Sequence, residues 1–237
     1  MRGHARAIAA EALGTGLLLA VIVGSGITGE RLAGGNAAIA LLANSLATGL
    51  GLAALILAFA PLSGAHFNPL ITLVAAFQGK LVWRLVPAYV LAQLIGALIG
   101  VAAAHAMFEH ALFTLSDHAR TGPAQAWSEA VATFGLVIVI GRCGRHGVKS
   151  VAAAVSAYVA AAYWFTGSTS FANPVVTVAR ALTDTFSGIR IADVPAFTFA
   201  QFLGAAMSAW VMLWLDAAPS LAGEPQPGRP SPKQLIP

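Results

Sequence analysis

Asn68-Pro69-Leu70-Ile71-Thr72-Leu73-Val74-Ala75-Ala76-Phe77-Gln78, closed by Gly79, has a helix start and a helix stop with too little between them. Asparagine caps a helix well and proline fits the first helical position, so Asn68-Pro69 reads as a helix start. Residues 69–78 rise only ~15 Å at ~1.5 Å per residue, about half of a ~30 Å hydrocarbon core. A second dipeptide, Asn173-Pro174, opens an equally short apolar run that ends at Leu182. One Asn-Pro is usually a turn. Two of them, each opening a half-length helix, read as half-helices, and half-helices in a membrane line a path.

The surroundings are membrane. With 58% hydrophobic and 9% charged residues and a mean hydropathy of +0.78, the chain is not a soluble globular domain. Six stretches are apolar enough to span: 7–27, 37–60, 81–108, 126–141, 148–165 and 194–215. The fourth is the shortest. The first lacks a small-residue cleavage site followed by a polar mature start, so it is expected to stay as a helix. One channel-like domain over residues 1–216 is expected, with a Pro-, Gly- and Ser-rich cytoplasmic tail, 217–237, too polar to fold.

Basic residues set the orientation, because basic loops stay in the cytoplasm. An inside N-terminus gives the cytoplasm Arg2, Arg6, Lys80, Arg84, Arg142, Arg145, Lys149, Arg229 and Lys233, and leaves Arg31, Arg120, Arg180 and Arg190 outside. Both termini are therefore expected inside, in a bacterial-type plasma membrane. The net charge of +4 is explained by topology, and its scatter over short loops excludes a nucleic-acid patch. The single cysteine, Cys143, excludes an internal disulfide. His105, His110 and His118 crowd one outer loop with Glu109 and Asp117, which reads as a solvated surface; no metal or other cofactor is expected.

An internal repeat organises the chain. Val86-Pro87-Ala88-Tyr89, Ala92-Gln93 and Gly96-Ala97 recur at identical spacing as Val194-Pro195-Ala196-Phe197, Ala200-Gln201 and Gly204-Ala205. Glu11-Ala12 with Thr15 returns as Glu129-Ala130 with Thr133. The halves cover about 7–108 and 126–216. Three spans per half invert the second copy relative to the first, which brings the two half-helix N-termini together near the midplane. Free N–H groups and a partial positive charge at both ends disfavour a cation there. Asn68 and Asn173 add amide donors, and carbonyls of the extended segments before them are the acceptors, since non-helical backbone at this depth must line a cavity or be buried. A neutral hydroxylated solute fits such a place.

Ser63-Gly64-Ala65-His66-Phe67-Asn68-Pro69, with Thr72 behind it, resembles the first signature loop of the major intrinsic proteins, the aquaporins and aquaglyceroporins. Ser168-Thr169-Ser170-Phe171-Ala172-Asn173-Pro174 is similar to their second loop and diverges more. The resemblance implies an all-α membrane fold of six tilted helices and two re-entrant half-helices, in a homotetramer with one pore per subunit. It makes Asn68-Pro69-Leu70 and Asn173-Pro174-Val175 the pore motifs, and Gly64, Ala65, His66, Phe67, Phe171 and Ala172 the pore-lining loops. It also makes Glu11 and Glu129 loop braces. His66 is a packing residue or a pH gate.

Departures from the family pattern bear on substrate. Leu70 and Val175 replace an alanine. An ungapped count puts Thr48 where a Phe or Trp is usual, Ala161 on the fifth span, Ser170 in the second loop, and Val176 where the filter arginine is usual. Arg180 lies one turn beyond Val176, which leaves two roles open: a substitute for the missing filter arginine or an external salt bridge, the latter being expected because of its longer reach and different face. A wide, uncharged filter resembles a bacterial branch associated with arsenic resistance. The expected function is passive passage of polyols, As(OH)3, methylated arsenicals and water. The alternatives are an ordinary water and glycerol facilitator, or an ion-coupled transporter using Glu11 and Glu129 as its titratable groups. No nucleophile and base, metal triad or phosphate loop suggests an enzyme.

Overall fold

The computed structural model describes residues 2–217, so the expected tail lies outside the described residues except for Ala217, which ends the last helix. Eight α-helices follow in order: α1 (Arg2–Leu32), α2 (Ala37–Ser63), α3 (Pro69–Phe77), α4 (Val86–Met107), α5 (Pro123–Cys143), α6 (Val148–Phe165), α7 (Pro174–Arg180) and α8 (Val194–Ala217). Six of them are long and apolar enough to cross a membrane. α3 and α7 are the half-helices, and end to end their 9 and 7 residues rise roughly 24 Å, close to one span.

Most boundaries follow local chemistry. α1 is longer than expected because nothing breaks it until Gly34 and Gly35, both with positive φ. Asn36 restarts the chain by accepting the Ala38 amide at 3.0 Å. α4 starts at Val86 and not at 81, because Val82 is extended and Trp83–Leu85 form a single tight turn before Pro87. α5 and α7 both open with proline in the first turn.

Each half packs as its own unit. α1 lies between α2 and α4, and α5 between α6 and α8. Across the halves α2 meets α6, while α3 touches α8 and α7 touches α4, so each half-helix sits between the last helices of both halves. Lipid is as apolar as leucine, so close packing and polar contacts hold such helices together rather than burial from water. Gly96 shows the packing plainly, since a Cβ there would run into the Ala12 carbonyl of α1, and Gly204 stands identically against the Ala130 carbonyl of α5. The outside is apolar: Leu50, Phe199, Trp210 and Leu213 are mostly exposed. The inside holds polar groups, with Glu11, Gln93, Glu129 and Gln201 at 0% exposure.

Candidate functional site

The re-entrant loops before the two half-helices share an uncommon backbone. Ala65 and Phe67 (φ 51° and 49°) and Ser170 and Ala172 (φ 51° and 48°) are left-handed at the same offsets from Asn68 and Asn173. Non-glycine residues adopt this region only when their surroundings impose it. Alternation of left- and right-handed residues turns successive N–H groups to one side as an anion-binding concavity. A carboxylate fills each one. Glu11 accepts from the His66 and Phe67 amides at 2.9 and 2.7 Å, from Ser63 Oγ at 2.6 Å and from Gln93 Nε2 at 2.7 Å. Glu129 accepts from the Phe171 and Ala172 amides at 2.9 and 2.8 Å and from Gln201 Nε2 at 2.6 Å.

The network continues into the half-helices. Gln93 also donates to Thr72 Oγ1 and Gln201 to Thr177 Oγ1, and those hydroxyls donate to the carbonyls of Asn68 and Asn173. Asn68 caps α3 by accepting the Leu70 amide at 2.9 Å and donates to the Ala172 carbonyl at 2.8 Å. Asn173 caps α7 and donates to the Phe67 carbonyl at 2.7 Å. One donor of each amide therefore locks the two loops together, and the other is left for the lumen. The sequence repeat marked Gln93 and Gln201; their bracing role emerges only from these contacts.

A single cavity of about 580 Å³ runs past both loops, from Lys80 and Gly144 at the end nearer the chain termini to Arg180 at the opposite end. Thr48, Gly64, Ala65, His66, Phe67, Asn68, Ser170, Phe171, Ala172, Asn173 and Val176 all line it. Pro69, Leu70, Pro174 and Val175 are buried beside it, with Leu70 packed among Val137, Ala205 and Met212. Ala161 is misplaced by the ungapped count. It is exposed on the outer face of α6, whereas Val148, Val151, Val155 and Val159 line the lumen at helical spacing, and residue 161 falls about 200° around the helix from 159. Tyr163, buried at the same end, donates to Thr48 Oγ1 at 3.2 Å. His66 Nδ1 lies 3.1 Å from Thr72 Oγ1, and its ring is tilted against Tyr89.

The end of the cavity at Arg180 departs most from expectation. Arg180 makes no salt bridge among the described residues and is only 1% exposed. Four residues on a helix return to nearly the same face, so Arg180 lines the lumen above Val176 and the filter region is not uncharged. Its guanidinium carbon lies 3.5 Å from the Phe171 ring centroid, and its Nε donates to the Ser187 carbonyl. Arg120, from the loop between α4 and α5, stacks on the same ring at 5.0 Å. It donates to the carbonyls of Gly188 and Ser168 at 2.8 and 3.0 Å. In the first repeat the equivalent carbonyl, that of Ser63, is capped by the Tyr89 hydroxyl at 3.1 Å. The second repeat has Phe197 there and no hydroxyl, so Arg120 takes the bond. Burial pushes the Arg120 guanidinium down to about 10. Burial, then the charges of Arg120 and Arg180, hold His118 below the ordinary histidine value. His105 is also buried, against expectation, and its ring binds the Ala111 carbonyl and Thr183 Oγ1, both at 2.7 Å.

Residues 2–143 match the signature of the family described as Major intrinsic protein. This chain belongs to the major intrinsic protein family. It is 49% identical to Aquaglyceroporin AqpS of Rhizobium meliloti (strain 1021) over 98% of this chain and 95% of that protein. It is 38% identical to the Glycerol uptake facilitator protein of Bacillus subtilis (strain 168) over 39% of this chain and 38% of that protein. The X-ray structure of the aquaglyceroporin from Plasmodium falciparum superposes with a TM-score of 0.70 at 21% identity, covering 91% of this chain and 100% of that one. At that identity the match speaks for the fold alone. As a major intrinsic protein the molecule is a multi-pass membrane channel for small neutral solutes, passive in mechanism, and not an enzyme.

Proposed function

We propose that this channel passes glycerol-sized polyols, As(OH)3, methylated arsenicals and water in both directions, driven only by their gradients. The observation that carries this reading is the lining: Thr48, Ser170 and Val176 all face the lumen, with small side chains and no charge, and we take them as its throat. The near full-length relative is called an aquaglyceroporin, which supports a pore wider than water needs. Carbonyls of the two loops serve as acceptors, and the free donors of Asn68 and Asn173 as hydrogen-bond donors, for a hydroxylated solute whose hydration they replace. Glu11 and Glu129 are engaged by four and three donors behind the loops and are not among the residues lining the lumen, so neither is positioned to carry a coupling proton. The setting we propose is a homotetramer in the plasma membrane with both termini cytoplasmic.

One observation favours the ordinary water and glycerol facilitator instead: Arg180, a large charged side chain, lines the lumen beyond Val176. A stopped-flow panel on purified protein in vesicles separates the two. We expect glycerol and As(OH)3 fluxes well above empty vesicles. Val176→Arg is expected to reduce glycerol passage, and to reduce methylated arsenicals more steeply, while water flow persists, because added volume at the throat excludes solutes by width. Vesicles permeable to water yet closed to glycerol and arsenite would overturn the reading, as would a loss equal for every solute.

A further inference from the structure

Among the described residues Arg180 is the cation at its end of the lumen, and none of them neutralises it by contact. Residues 176 and 180 share a face of α7, and their separation along the axis is about 6 Å at ~1.5 Å per residue. The charge therefore stands one turn outside the throat formed by Thr48, Ser170 and Val176. Phe171 supports the guanidinium from one side and the Ser187 carbonyl holds its Nε from the other. The Nη groups have no protein partner among the described residues, and the side chain lines the cavity. A charge this far from bulk water is costly to leave unpaired. Packing alone is served as well by an uncharged side chain of the same length. The arrangement holds a cation at a fixed point of the path and turns its free donors toward whatever passes.

We propose that Arg180 is the charge-selecting residue of this channel, and that selection by width is made separately, one helical turn deeper, at Thr48, Ser170 and Val176. The proposal deepens the wide-throat reading and rests on it for the deeper level only. A permeating cation meets repulsion first at Arg180 and again at the midplane, where the half-helix N-termini converge. A neutral polyol meets hydrogen-bond donors at the first level and a steric limit at the second. The two properties are then separable by substitution, which a single filter position carrying both size and charge does not allow.

Vesicles carrying wild type, Arg180→Gln, Val176→Glu and Val176→Arg are loaded with a pH- or sodium-sensitive dye. Cation leak is measured alongside the flux ratio of erythritol to glycerol, normalised to water flux. Wild type is expected to be cation-tight. Removing a unit charge at this range from a permeating ion is expected to raise the leak of Arg180→Gln roughly tenfold or more, with the flux ratio held within about twofold. Val176→Glu keeps Arg180 and pairs its charge from one turn away, so it is expected to leak as well; it decides the matter if Arg180→Gln is not recovered as folded protein. Val176→Arg is expected to stay cation-tight while its flux ratio falls. The proposal is overturned if the recovered Arg180→Gln and Val176→Glu proteins are as tight as wild type. It is also overturned if Arg180→Gln lowers the flux ratio as Val176→Arg does. Failure of wild type to pass glycerol strikes the width reading, and the cation comparison still judges Arg180.

Discussion

Glu11 takes four hydrogen bonds and Glu129 takes three, and in both cases two of them come from successive amides of a loop that contains left-handed residues. Replacing either with glutamine swaps one acceptor oxygen for an amide donor, which then faces a backbone N–H or a side-chain donor. At least one buried donor is left unpaired, and each such loss costs about 1–3 kcal/mol. Glu11→Gln and Glu129→Gln should therefore both lower the thermal midpoint and the yield, Glu11→Gln more so, with the relative solute permeabilities of the surviving protein unchanged. Size-exclusion yield, thermal unfolding in detergent and a solute panel check this. Normal stability with a changed pH dependence of uptake would instead make the carboxylate a coupling group. The two glutamates were legible in the sequence because ionisable residues in apolar helices are expensive. Arg180 was legible too: position 180 is one turn from 176 and so on the same face, not on the different face expected of it. Ala161 failed for the converse reason, since counting from a motif carries no information about which way a separate helix is rotated.

Paired features carried the fold at the scale of elements, because each half of the chain checks the other. Asn68 with Asn173, Gln93 with Gln201 and Gly96 with Gly204 stand at equivalent places, and each pair makes equivalent contacts. What the repeat did not reveal is where the halves differ and another element compensates, as Arg120 does for the hydroxyl that Phe197 lacks. Such a bond joins a loop to a distant carbonyl and leaves no local pattern. The glycine pair supports a direct prediction. Gly96→Ala and Gly204→Ala each push a methyl into a facing carbonyl, forcing α4 from α1 or α8 from α5, and overpacking of this kind costs about 1–3 kcal/mol. Gly144→Ala meets open space in an ordinary right-handed turn and serves as the control. Thermal midpoints should fall for the first two and hold for the third. A similar fall for Gly144→Ala would show that helix contact is not what the midpoint reports.

The whole molecule poses the question of which way it faces. Six crossing helices put the start of α1 and the end of α8 on one side of the membrane, so a single assignment orients every loop. The basic residues of the opposite face are taken up by the fold: Arg31 reaches His110 and the Phe108 carbonyl, Arg120 and Arg180 are buried, and Arg190 pairs with Asp193 at 3.3 Å. On the face of the termini Arg142 and Arg145 share Asp216, while Arg6, Lys80, Arg84 and Lys149 are exposed. Charges free to be retained by the cytoplasm therefore lie on the terminal face, a stronger bias than the raw count of Lys and Arg gives. Both termini should be cytoplasmic, with Arg180 at the mouth that solutes meet from outside. An epitope tag at either end should resist protease added to intact spheroplasts and be cut after lysis, whereas a cleavage site inserted after Glu109, in the loop between α4 and α5, should be cut in both. Loss of the terminal tags from intact spheroplasts would reverse the assignment, making Lys80 line the outer mouth and Arg180 the inner one.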